Sequence, residues 1–139
     1  MLRQALTIVP AALFLILSGG AGCGLPNATA MGGTWLFRIN SSSSGIIILT
    51  VNLQQHGSQI TGQATVTASA TPCGTAATVV GNLLGNTLNL DVAQYQTQLF
   101  LVGTVNSTFT NAQGTYTSSG SGACFLNGDF GSWSAVFES

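Results

Sequence analysis

From residue 33 onward the chain alternates aliphatic or aromatic residues with Thr, Ser, Asn and Gln, in eight successive segments. A side-chain period of two demands extended backbone with one apolar face per segment. The first segment sets Trp35, Phe37 and Ile39 against Leu36 and Arg38. The second carries Ile47, Leu49, Val51 and Leu53, and the third Ile60, Gly62, Ala64 and Val66. Ala77, Val79, Gly81 and Leu83 follow, then Leu88, Leu90 and Val92. The last three offer Leu99, Leu101, Gly103 and Val105; Ala112, Gly114 and Tyr116; and Trp133, Ala135 and Phe137. No helical periodicity interrupts them.

Turn chemistry orders these segments. His56-Gly57-Ser58, Leu84-Gly85-Asn86 and Asn106-Ser107-Thr108-Phe109 are compact hairpin signals joining segments 2–3, 4–5 and 6–7. In a meander alternate turns lie at opposite ends, so these three share one end. The connections at 41–44, 69–76, 94–96 and 118–131 share the other. Eight antiparallel strands that close on themselves hide one face and leave no edge. The expected fold is therefore all-β: an eight-stranded up-and-down β-barrel. A two-sheet sandwich is the alternative, and a transmembrane barrel with the apolar phase turned to lipid is a second.

The first 22 residues have a different character. Arg3 precedes an apolar run over residues 6–17, twelve residues long, which suits a secretory signal helix and is too short to cross a hydrocarbon core. Gly20-Ala21-Gly22 then leads into Cys23. The segment resembles the lipobox of bacterial lipoproteins, although Gly20 stands where that pattern has Leu or a similar residue. The resemblance implies lipid attachment at Cys23, and Gly24 after it implies sorting to the outer membrane. An ordinary signal peptide cut nearby is the alternative. Residues 1–22 are thus read as leader, 23–32 as a short tether to the membrane and 33–139 as the barrel. With Cys23 acylated, Cys73 and Cys124 remain as an even pair in an oxidising compartment, which predicts one disulfide. Their loops rise from opposite sides of one rim, so the bond would cross the mouth. Closing a loop of about 50 residues contributes on the order of 4 kcal/mol. Two separate buried thiols are the alternative.

Eight antiparallel strands opening on Gly33-Thr34-Trp35 resemble the calycins, the lipocalin and avidin group. The resemblance implies that Trp35 packs against the barrel floor. It also implies an Arg on the last strand above that Trp, and segment eight has none. The polar residues with which avidins hold biotin have no counterpart. The chain is similar, too, to short exported bacterial barrels without an assigned activity.

Charge excludes several functions. Beyond the leader, Arg38, Asp91, Asp129 and Glu138 are the charged residues, and there is no lysine. Nucleic acid needs clustered basic side chains, so it is not an expected partner. A hydrolytic triad would need His56, the single histidine, yet it sits in a tight turn far from Asp129, while Asp91 points outward. Catalysis, a metal site and a cofactor are therefore not expected. Binding is the more credible role. Gly62, Gly81, Gly103 and Gly114 fall on the inward phase and leave room for a small apolar ligand. Its walls would be Trp35, Phe37, Tyr116 and Trp133, with Tyr95 and Phe125 at the rim. A fully packed core with a structural role at the cell envelope is the competing expectation. Outside, Leu36, Ile46 and Ile48 form an apolar patch suited to a homodimer or to an interaction protein of the cell surface.

Overall fold

The computed structural model describes residues 30–69, 76–94, 96–120 and 127–139. Eight antiparallel strands form a closed barrel in which each strand pairs with its sequence neighbours and the last returns to the first. They are β1 (Gly33–Ser41), β2 (Gly45–His56), β3 (Gln59–Ser69), β4 (Ala76–Leu84), β5 (Thr87–Gln94), β6 (Thr97–Val105), β7 (Asn111–Gly120) and β8 (Phe130–Phe137). The seam runs from Trp35↔Phe137 to Ser41↔Gly131. A barrel, not a sandwich, is thus the outcome.

The aliphatic phase faces inward. Trp35, Phe37, Ile39, Ile47, Leu49, Leu90, Leu101, Tyr116 and Trp133 are all buried, and the outward phase is mainly Thr, Ser, Asn and Gln. An apolar interior inside a neutral polar wall is the reverse of a lipid-facing barrel, which overturns the transmembrane alternative.

The floor is built from short turns. Gly57 and Gly85 open the β2–β3 and β4–β5 hairpins with φ of 62° and 63°. Glycine suits the first position of a two-residue type II′ loop because no Cβ opposes positive φ. Neighbouring turns are stitched together, the Leu83 amide donating to Ser58 O (2.8 Å) and the Val105 amide to Asn86 O (2.9 Å). Met31, placed by the sequence in the tether, is fully buried beneath Trp35. Its amide donates to Gln55 Oε1 (2.8 Å), and its carbonyl accepts the Trp35 indole N–H (3.0 Å). The barrel therefore begins no later than Met31. Period-two patterning could not find this residue because it precedes the strand.

Two further expectations are corrected. Phe137, on the inward phase of β8, is 36% exposed because it lies past the last core layer. There it packs edge-on against Trp35, with ring centres 5.5 Å apart and planes at 70°. The inward glycines are not spare room. A Cβ on Gly62 would strike Asn52 O, on Gly81 Asn89 O, on Gly103 Gln113 O and on Gly114 Val102 O. These are points where strand curvature brings neighbouring backbones together. Over the Gly103↔Gly114 pair lies the Trp133 indole, whose N–H donates to Thr115 O (3.0 Å) and Val102 O (3.3 Å).

Candidate functional site

Three regions of the barrel carry chemistry: the bore, the mouth and the outer wall. In the bore, the residues expected to line a ligand pocket pack on one another. Phe37 stacks on Trp133 across the β1–β8 seam at 5.5 Å and 14°. Trp35 closes the floor, and the Tyr116 hydroxyl is bonded to Asp129. The enclosed space left between Phe37, Leu49, Val79, Leu90 and Leu101 is about 10 Å3, room for one water at most. Tyr95 and Phe125, expected at the rim, lie outside the described residues, as do Cys23, Cys73 and Cys124. Among the described residues the larger concavities include two open grooves, one on the outer wall near Asn52 and Thr61 (about 480 Å3) and one under the floor near Gln55 and Asn86 (about 470 Å3). Both are lined by neutral side chains.

The mouth holds a polar cluster that the sequence analysis missed. Asp129 stands immediately before β8, after Asn127 and a positive-φ Gly128, and is 5% exposed. Its Oδ2 accepts from Ser41 Oγ (2.6 Å) and Tyr116 Oη (2.7 Å). Its Oδ1 accepts from Ser42 Oγ (2.7 Å) and Ser43 Oγ (3.0 Å). Ser41 Oγ in turn accepts the amides of Ser43 (3.1 Å) and Ser44 (2.8 Å), which shapes the β1–β2 turn around the carboxylate. The Asp129 amide donates to Ser118 Oγ (3.1 Å), and the Ser118 amide donates to Asp129 O (2.9 Å). Gly131 stands opposite Tyr116, where a Cβ would strike Asn40 O and crowd the phenol ring at 3.0 Å.

Electrostatics follow from this geometry. Burial pushes the Asp129 carboxyl upward, but the bonds from Ser41, Ser42, Tyr116 and Ser43 outweigh it and hold the group below the usual carboxylate value. Burial, together with the adjacent Asp129 charge, holds the Tyr116 phenol far above its usual value despite Ser41. A carboxylate offers about four lone-pair positions. All four are filled here, so Asp129 is a structural acceptor with no capacity left for a substrate proton. The remaining candidates stand apart: His56 is exposed at the floor end of β2, Glu138 follows β8, and Asp91 lies on the outer wall of β5. Among the described residues no group of three His, Cys, Asp or Glu side chains is placed to hold a metal ion.

On the outer wall, Leu36 and Ile46 are exposed and Ile48 half-buried, as the outward phase implied, and Arg38 stands among them. Val136 of β8 extends this patch beside Leu36.

No family model matches the chain, and no curated protein does. Among solved structures it is similar to a redesigned β-barrel, with a TM-score of 0.61 and 14% identity over 79% of this chain and 93% of that one. The likeness defines the class, a small antiparallel β-barrel, and at that identity it speaks for fold alone.

Proposed function

We propose that this chain is an exported lipoprotein, moored to the cell envelope through acylated Cys23, whose barrel is a non-catalytic structural module acting through its outer wall. The filled bore carries this reading. With Phe37 stacked on Trp133, Trp35 sealing the floor and Asp129 knitting the mouth, about 10 Å3 is left for an apolar guest. Drug-sized ligands occupy pockets of roughly 300 Å3 and more. Attachment through the N-terminus is supported by residues 30–32, which enter at the floor. The seven residue steps from Cys23 to Ala30 could span at most about 25 Å. The floor would face the membrane and the mouth would point away from it.

Two measurements on the full chain test this. Metabolic labelling with an alkyne fatty acid should mark the wild type and not Cys23→Ala, and only the wild type should remain with the membrane fraction. Label retained in the variant would end the lipoprotein reading. Native mass spectrometry should show no retained small molecule. A stoichiometric apolar passenger would replace the structural reading with that of a carrier, and would require Trp133 to leave its seat on Gly103 and Gly114.

A further inference from the structure

Two patches of opposite charge stand on opposite walls of the barrel. On β1, Arg38 projects between Ile48 of β2 and Ser134 of β8, with Leu36, Ile46 and Val136 exposed around it. On β5, Asp91 lies between Val80 and Phe100, with Val102 alongside, at the edge of a shallow groove of about 260 Å3. Its Oδ1 is covered and has no hydrogen-bond partner. Arg38 is the one Lys or Arg among the described residues. It cannot reach Asp91 within one molecule, because β1 and β5 are four places apart in a ring of eight.

The two charges also share a height. The register from Arg38 through Ser134, Gln113 and Thr104 descends to Thr87, at the floor end of β5. In the other direction it climbs through Ile48 to Ala68, beyond the mouth end of β4. Tilted strands make this row a spiral. The level of Arg38 on the far wall lies between the two arms, where Asp91 sits.

We infer that this chain self-associates side by side and head to tail, the Arg38 patch of one copy seating on the Asp91 patch of the next. A second copy is the partner these surfaces fit. One contact pairs a cation with a part-desolvated carboxylate and covers Val80, Phe100, Leu36 and Ile46 together. A two-fold dimer through Leu36, Ile46 and Ile48 would instead bring Arg38 near its own copy, and like charges across an interface are costly. Matching patches on opposite walls give a heterologous contact, which propagates as a row instead of closing at two. The shared height allows copies related in this way to point their floors the same way. That agrees with mooring on one membrane, the clause of the inference that rests on the function proposed above.

Sedimentation velocity of the detergent-solubilised full chain over a concentration series tests the contact. The wild type should form species beyond the dimer. Arg38→Asp and Asp91→Arg should each weaken association at least about tenfold, by setting like charges face to face. The double exchange, and an equimolar mixture of the two single variants, should restore it. Near-UV circular dichroism confirms that each variant is folded, and the restored pairs decide the matter if one single variant is not. A monomeric wild type, assembly that stops at a dimer, indifference to Asp91→Arg or failure of the exchange to restore association would overturn the inference. Repeating the series with Cys23→Ala separates the two proposals. Association that persists there, with no wild-type chain in the membrane fraction, would refute the mooring and keep the interface.

Discussion

At Asp129 four hydroxyl donors converge on one carboxylate, and each would lose its acceptor if the charge were removed. Asp129→Ala should cost about 3 kcal/mol in chemical denaturation, since bonds to a charged acceptor are stronger than neutral ones and the donors are left partly buried. Asp129→Asn should fall between, because its amide nitrogen would face hydroxyl donors. The pH dependence has a definite sign. The folded value lies below the unfolded value near 3.8. The carboxylate's contribution is therefore complete above that unfolded value and is lost as pH falls through the folded one. Denaturation midpoints measured from neutral pH down to about pH 2 should decline at the acid end, and Asp129→Asn should flatten that decline. Thr97 presents the opposite case. It is 3% exposed, and its Oγ1 is buried with no hydrogen-bond partner. Thr97→Val keeps the shape and removes the unmet hydroxyl, so it should stabilise the barrel by about 1 kcal/mol. A neutral or negative result would show that the hydroxyl is satisfied.

Strand phase was legible from alternation, because a one-residue slip would turn every apolar side chain to solvent. The pattern placed Trp35, Phe37, Leu49, Leu101 and Trp133 inside, and they are inside. Glycine is where it misled. An absent Cβ in a one-dimensional pattern reads equally as space for a guest or as close backbone approach, and only the register tells them apart. Gly103 faces Gly114 across β6 and β7, and a Cβ on Gly103 would meet Gln113 O and the Trp133 ring at 2.7 Å. Gly103→Ala should therefore destabilise by about 2–3 kcal/mol through overpacking and displacement of the indole. Gly57→Ala, with nothing within 4 Å but a φ of 62°, should cost only about 1 kcal/mol of backbone strain. Thermal unfolding of the two variants side by side measures the difference. Equal losses would mean that curvature at the glycine pair is not the constraint. The mouth cluster was hidden for a related reason. Residues 41–44 and Asp129 were assigned to connections, and a connection has no period from which a neighbour can be read.

Ring closure supplies what the separate elements lack. Once β8 is placed beside β1, the turn after β1 and the turn before β8 become neighbours. The encounter of Ser41, Ser42 and Ser43 with Asp129 is then a consequence of topology. The same closure stacks Phe37 on Trp133 and sets Phe137 against Trp35 across the seam. Both tryptophans thus report on the pairing of greatest sequence separation, which carries the largest loop-closure cost and is the slowest kind to form. At equilibrium the seam should not open by itself. An opened ring would expose two full strand edges and the core aromatics at once, with no intermediate sheet to cover them. Unfolding of the barrel by denaturant should therefore be a single transition, with tryptophan emission, which reports the seam, and far-UV circular dichroism, which reports the whole sheet, sharing one midpoint. An emission change that precedes the loss of strand signal would mean that β1 and β8 part first. The molecule would then behave as a curled sheet with a removable edge, and the head-to-tail contact through Arg38 would be built on its least stable strand.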